Sequence, residues 1–451
     1  MYRGAVPSSN RIPVVAGVDI GTTNLKVVAL DADGTVVSRA IQPTPREAGT
    51  LLIDAAALVA SIEDMVAAVC GDQHALTAVA TAGVGEDGVL LGPDLVPATP
   101  ALAWFDPIRH ELFAQLAPDL DADAGIDVVT DPTRALAGWL WARRHPGFVA
   151  DGMWVALADA PAVLWAHRPF LSDTLASRTG AWRSRDRSWS ATRVEASLGS
   201  TRLLPPVVRT GEVIGPVVSP SLRASGVLAP DAIVVAGGHD HPVGAWGVDR
   251  MVPGVVLDSM GTAEVIVTQT GRARTMLGAE VDAAPGIRSE GTTVLRVEEL
   301  ARNVQWASRD REVAHHLREV LSGHERVLPV LDSGYFVPGR RGGGVPAFAP
   351  EAPADPRVRA SAVLGALAIA GRDAVAAVRA ASGSVGELRF AGGWLRSPGW
   401  IDVKAEIDGM RATPILEPEV TAVGAALLAA AARGWSADPA RALSGFTAML
   451  H

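Results

Sequence analysis

A two-domain α/β protein is the fold class this sequence predicts, and three observations predict it. The chain has 451 residues, long for a single core. Short apolar runs closed by Gly, Pro or Asp alternate with longer stretches of helical periodicity. And one pattern, strand, Gly-Thr turn, strand, occurs twice: GVDIGTTNLKVVAL from residue 17 and VVLDSMGTAEVIVT from residue 255. Two related halves, each opening with such a hairpin, are the simplest reading.

The elements follow in order. VVAGVDI, LKVVALD and TVVSRAI read as three strands separated by GTTN and ADG, and Asp33-Gly34 is a good hairpin turn. Residues 54–70 have helical periodicity with Asp54 as the cap. LTAVATAGV has the composition of a buried strand; GEDGVLLGPDLVPATPALAW reads as short strands and a loop. Helices are expected over 133–145 and 158–167. Residues 200–235 are loop-rich, with Pro205, Pro206, Gly211, Gly215, Pro216 and Pro220, and end in the strand AIVVAGG. GHDHPVGAWG can open a helix. An alanine-rich helix is expected over 361–381, a strand running into a glycine turn in ELRFAGGW, and a last helix over 419–434. Residues 1–13 lack the apolar stretch of a signal peptide and are expected to be a flexible lead. No apolar run is expected to reach the roughly 18–20 residues that cross a bilayer.

Composition excludes several classes. With 48% hydrophobic and 20% charged residues the chain is ordinary for a globular protein. A net charge of −9 without a basic stripe argues against a nucleic-acid partner. Cys70 is the only cysteine, so no internal disulfide forms and a cytoplasmic location is expected.

Glycines and hydroxyls at a hairpin tip offer backbone N–H groups and side-chain donors to a phosphate chain. A lone acid beside them, Asp19, suits Mg²⁺, which takes one or two carboxylates and keeps its waters. No G-x-x-x-x-G-K-[ST] occurs, so the chain has no P-loop. On residues alone, a Gly-Thr turn is also an ordinary connection between strands, and Asp19 an acid capping it.

Taken together, the segments resemble the FGGY carbohydrate kinases, a branch of the actin-like ATPase superfamily, from about residue 14 to 434. GVDIGTTNLKVVALD resembles the first phosphate motif of that family and SMGTAEVIV the second. FAGGWLRSPGWIDVKAEIDG with EPEVTAVGAALLAA resembles the adenosine motif and the helix after it. SDTLASRTGAW and LLPPVVRTGEVIGPV resemble signature stretches of the first domain. The resemblance implies two actin-like (ribonuclease H-like) domains, 14–235 and 236–451, with ATP and Mg²⁺ in a central cleft. It implies Asp240 in AGGHDHPVGAWG as the base that takes the acceptor proton; an Asp with an ordinary pKa near 4 is ionised at pH 7. His239 and His241 flank it, His239 as a substrate contact; two histidines and an aspartate lack the further ligands of a metal site. By the same resemblance Asp19 lies near Mg²⁺, Gly21, Thr22, Thr23 and Lys26 near the phosphates, and Gly261 and Thr262 meet the phosphates in turn. Gly392 and Gly393 bring the backbone close to the nucleotide, with Trp394 and Ser397 beside it. Trp394 stands where many relatives have a small residue, and either stacks on adenine or packs. Glu264 reads as a strand residue, and Arg340 or Arg341 as a residue of a glycine-rich loop.

In the family a polar pair contacts the acceptor: Arg-Glu in glycerol kinases, Met-His in xylulose kinases. Here the matching pair is Gly85-Glu86, followed by Asp87. Each carboxylate can accept from two hydroxyls of a neutral polyol. ALAWFDPIRH resembles the family's Trp-x-Asp-x-Arg stretch with the Arg displaced by one, so Trp104 and Asp106 are expected at the substrate in preference to Arg109. Gly85 argues against glycerol. The expected function is an ATP-dependent kinase of a small sugar (pentulose or hexulose) or polyol, with no nucleic-acid or membrane partner and with a homodimer left open. The alternative is a catalytically degenerate sugar- or nucleotide-binding regulatory protein on the same fold.

Overall fold

The computed structural model describes residues 11–271, 281–341 and 344–445. Among them are two compact units. One runs to Met251 and takes in Ala284–Glu290 and the chain from Glu419 onward; the other comprises Val252–Ala283 and Gly291–Pro418. Residues 236–251 and the chain after 418 thus lie with the first unit, unlike the sequence-based division at 235/236. The cause is local: strand Leu228–His239 runs directly into helix Asp240–Met251, so the chain leaves the first unit only after that helix. Most of the expected flexible lead, residues 1–10, lies outside the described residues; Ile12 and Pro13 already belong to a strand.

In the first unit, β1 (Ile12–Ile20) pairs antiparallel with β2 (Asn24–Leu30), which pairs antiparallel with β3 (Val36–Pro43). Helix α1 (Ala55–Cys70) returns the chain to β4 (His74–Gly83), parallel to β1. Asp54 caps α1 as expected, accepting from the Ala57 amide at 2.9 Å. Strand Leu228–His239 lies parallel on the far side of β4, and Val213–Pro216 closes that edge. β1 and β4 are almost wholly buried, as strands covered on both faces must be.

The second unit repeats the design. Val256–Met260 pairs antiparallel with Ala263–Thr270, which pairs antiparallel with Thr292–Glu299, while Leu388–Ala391 lies parallel to Val256–Met260. A long helix, Pro356–Ser382, precedes the parallel strand as α1 precedes β4. By length and composition it could cross a membrane, which corrects the expectation that no apolar run is long enough. Its Val363, Leu364, Leu367, Ala368 and Val378 are buried in the core of its own unit.

Helix Val420–Ala432 explains why its sequence is nearly all Ala, Gly, Val and Leu. It is buried on every side, so no polar face is needed. It also lies against backbone: a Cβ on Gly17 of β1 would come within 1.9 Å of Ala422 O, and one on Gly424 within 2.5 Å of Val243 O in helix Asp240–Met251. Gly17→Ala therefore forces this helix off β1. We expect a loss of about 1–3 kcal/mol, the usual cost of overpacking, read from the denaturation midpoint; an unchanged midpoint would show that the helix yields freely.

Candidate active site

The parallel pairing fixes where side chains converge. Ile20 of β1 is in register with Gly83 of β4, and Gly83 with His239. Three strands therefore end at one level, the edge where open α/β sheets bind ligands. Just before or beyond that level stand Asp19, Gly21, Gly85, Glu86, Asp87 and Asp240.

Asp240 is the first residue of its helix. Its Oδ1 accepts the His241 amide at 2.6 Å and lies 3.1 Å from His239 Nε2. Burial and the nearby Glu86 push its carboxyl up to about 7, against the His241 amide bond, Arg178 and Lys26, which lower it. This corrects the expectation of an ordinary, fully ionised Asp at pH 7. His241 is pulled down to about 4 by burial and by Arg178, so it is neutral at pH 7.

The glycines before Asp240 are required by contact. A Cβ on Gly237 would sit 1.5 Å from Thr81 O, and one on Gly238 2.2 Å from Thr174 Oγ1. That threonine braces the base: it accepts the His239 amide at 3.1 Å and shares a 3.0 Å hydrogen bond with Thr210. Thr210 in turn donates its amide and hydroxyl to Asp173. SDTLASRTGAW and VVRTGEV thus meet beneath Asp240.

Glu86 is buried and held by two guanidinium groups. Arg178 donates from Nε to Glu86 Oε1 at 2.9 Å, and Arg134 approaches the same oxygen at 3.3 Å. Gly85 has no room for a side chain: a Cβ would meet Arg178 Cγ at 2.6 Å and His239 Cδ2 at 2.9 Å. Asp87 lies 3.5 Å from Arg109 and is pushed up to about 7, chiefly by burial. Arg109, which the sequence ranks below Asp106, is a fully buried clasp whose guanidinium reaches the carbonyls of Leu102, Ala103, Thr133, Arg134 and Glu86. Asp106 accepts the Ile108 amide at 3.0 Å, at the start of helix Ile108–Leu116. Trp104 is turned to the first tip and donates from Nε1 to Thr22 Oγ1 at 2.9 Å.

At that tip the Thr44 hydroxyl donates to Gly21 O at 2.8 Å and Arg46 to Thr22 O at 2.7 Å; Thr23 is exposed. Lys26 faces Asp19 across the ladder and bonds Asp19 Oδ2 at 3.2 Å and Glu419 Oε2 at 2.9 Å. Burial, with Asp240 and Glu419 adding to it, raises the Asp19 carboxyl above its ordinary value, while Lys26 lowers it. Burial would lower Lys26, yet Asp19 and Glu419 hold it above the ordinary lysine value.

In the second unit, Gly261 and Thr262 form an exposed tip, with the Gly261 amide bonded to Ala263 O at 2.8 Å. Gly392 has φ 96°, and a Cβ there would meet Met260 O at 2.3 Å; Gly393 is exposed, and a Cβ there would make an ordinary 3.4 Å contact with Arg396 Nη2. Trp394 donates to Gly261 O at 2.9 Å and packs edge-on to Trp400, and the Ser397 amide donates to Trp394 O at 3.0 Å. Glu264 is more than a strand residue: Lys404 bonds it and, at 2.7 Å, Asp258, all three buried. Burial and Asp258 push Glu264 up to about 8. Arg341 pairs with buried Asp282 at 3.0 Å, while Arg340 is exposed.

Sequence reasoning did not single out Arg178, Arg134, Thr174, Glu419 or Lys404. Arg178 and Thr174 lie in SDTLASRTGAW and Glu419 in EPEVTAVGAALLAA, so those two stretches carried the signal. The pairings, from Glu86 to Arg178 or from Lys26 to Glu419, join residues far apart in the chain and leave no local pattern.

Residues 14–247 match the FGGY family of carbohydrate kinases, N-terminal domain. The chain is 25% identical to a glycerol kinase of Gloeobacter violaceus over 94% of its own length and 89% of that protein. It is 22% identical to a xylulose kinase of Bacillus subtilis, over 93% of this chain and 88% of that one. The crystal structure of a gluconate kinase from Lactobacillus acidophilus shares the fold, with a TM-score of 0.78 at 16% identity, over 96% of this chain and 91% of that one.

The raised Asp240 carboxyl has a consequence for stability. Between its unfolded pKa near 4 and its folded value of about 7, the folded chain binds the proton more tightly than the unfolded one. Stability therefore falls as pH rises through that window, and the penalty is complete above pH 7. Asp240→Asn removes it. We expect the variant to melt several degrees above the native chain at pH 8 and to lose that advantage by pH 4; equal melting at pH 8 would mean that Asp240 ionises freely.

Proposed function

We propose, from the premise that this chain belongs to the FGGY family of carbohydrate kinases, that it transfers the γ-phosphoryl group of ATP to a hydroxyl of a small sugar or polyol, a pentulose or hexulose among them, with Asp240 as general base. The family supplies the reaction class, phosphorylation of an alcohol. The observation that carries the finer reading is the Asp240 carboxyl, half-buried where three parallel strands end and pushed up to about 7. A base with a pKa near the working pH best combines being deprotonated with being able to take a proton.

Oδ1 of Asp240 already carries the His241 amide and the His239 ring. In this reading Oδ2 takes the acceptor proton. The carboxyl cannot turn away without losing those bonds, and Thr174 fixes the backbone behind it. Glu86, held in place by Arg178 and Arg134, accepts from the acceptor's other hydroxyls. Phosphoryl transfer asks mainly for positioning and charge stabilisation, and a braced base and a clamped carboxylate supply the first.

Mg²⁺ fits the residues at the first tip. Asp19 and Glu419 share one cation, Lys26, with Asp240 close enough to raise Asp19 further, so the group carries excess negative charge. Among the described residues no three His, Cys, Asp or Glu side chains form a cage. Mg²⁺ asks for only one or two carboxylates beside its waters and phosphate oxygens. When bound, Mg²⁺ would neutralise phosphate charge; Asp19 would hold it and Lys26 would balance the carboxylates. The nucleotide readings for Gly261, Thr262, Gly392, Gly393, Trp394 and Ser397 belong to the same proposal.

The test is ADP release from Mg·ATP against a panel of ketoses, polyols and their enantiomers. One acceptor should stimulate turnover strongly. Asp240→Asn should lose about 10²–10⁴ of that rate while still binding ATP. If no acceptor stimulates ADP release, the kinase reading fails in favour of a regulatory protein that only binds.

A further inference from the structure

Within the second unit, one side chain joins the tip Gly261–Thr262 to the turn Gly392–Ser397. The Trp394 indole N–H donates to Gly261 O at 2.9 Å. Its ring packs edge-on to Trp400, with centroids 5.5 Å apart. Trp400 is fully buried, and its own Nε1 lies 3.1 Å from Met260 Sδ, the residue before the tip. One helical turn on, Lys404 grips Asp258 on the strand entering the tip and Glu264 on the strand leaving it. Gly392 presses against Met260 O with no space for a Cβ. The segment from Gly392 to Lys404 thus holds the hairpin at its base, and at its end Trp394 bonds Gly261 O while the Ala301 amide donates to Thr262 O at 3.0 Å.

The peptide unit turns that contact into an aiming device. Gly261 C=O and Thr262 N–H belong to one planar trans peptide and point in opposite directions. A bond that fixes the carbonyl fixes the direction of the amide. Indole is donor-only, so the bond has one sense and cannot be reversed.

We propose that Trp394 is a positioning residue for the phosphate chain of a nucleotide, acting through the Gly261 carbonyl to aim the Thr262 amide at phosphoryl oxygens. This rests on the ATP-dependent reading above. Of the two roles the sequence leaves open, stacking on adenine and packing, it sets aside the first: the indole works through its N–H on the tip.

Calorimetry with adenosine, ADP and a non-hydrolysable ATP analogue, with Mg²⁺, separates the cases. Trp394→Phe keeps a ring and removes the donor. Its adenosine affinity should stay within about twofold of native, while the ATP analogue weakens about 2- to 10-fold, the worth of one hydrogen bond. Trp394→His restores a ring N–H and should recover part of that loss; it also serves as the reference, against Trp394→Leu, if the Phe variant does not fold. Equal weakening of all three ligands would assign Trp394 to stacking and overturn the proposal. So would three unchanged affinities. If the native chain binds none of the three, the ATP reading itself fails and this inference with it; if the native chain binds them and the variants show no selective loss of the ATP analogue, only the role of Trp394 is refuted.

Discussion

The first unit depends on a contact between backbones. Helix Val420–Ala432 lies so close to β1 that position 17 admits no Cβ, and so close to helix Asp240–Met251 that Gly424 nearly touches Val243 O. Only small residues allow this, and the alanine-rich sequence of the helix follows. The same contact has a chemical result. It delivers Glu419, the residue just before the helix, to Lys26 and therefore to Asp19. A segment that begins after the whole second unit completes the ion group at the first tip, so its packing and the electrostatics of that tip are a single constraint.

Burial sets the charge states around Asp240. Isolated charges are expensive in a buried site, so they are met there as pairs or lose their charge. Glu86 takes the first course, with Arg178 and Arg134 against one oxygen. Asp240 and His241 take the second: burial raises the acid to about 7 and lowers the imidazole to about 4. The outcome is a carboxylate clamped by two guanidinium groups near a titratable one. Two acids with separated roles are what a reaction needing one hydroxyl held and another deprotonated would use.

Much of this was legible in the sequence. The paired hairpins, the helix caps and the acid at the start of Asp240–Met251 are written in residues a few positions apart, where turn and cap chemistry act. The repeat of Gly-Thr tips correctly pointed to two sheets of one design. What stayed hidden is long-range. Nothing near Glu86 announces that Arg178 will neutralise it, and Trp394 carries no mark of its bond to Gly261, 133 residues away. The ordinary pKa expected for Asp240 failed for the same reason, since burial is a property of the assembled strands. Arg109 was ranked below Asp106 on spacing alone, yet spacing says nothing about which of two neighbours turns inward.

The two hairpins share a design but divide the chemistry. At the first tip, Asp19 and Lys26 stand opposite each other on adjacent strands. The cross-strand pair at the same distance before the second tip is Ser259 and Val265. Neither carries a charge. The charges of the second hairpin sit instead on Asp258 and Glu264, turned inward onto Lys404 and fully buried. An ion group sealed in that way can fix strands but cannot meet a ligand. What stays exposed at the second tip, Gly261 and Thr262, is backbone and one hydroxyl. Side chains hold carbonyls at both tips: Trp394 donates to Gly261 O at the second, as Thr44 and Arg46 donate to Gly21 O and Thr22 O at the first.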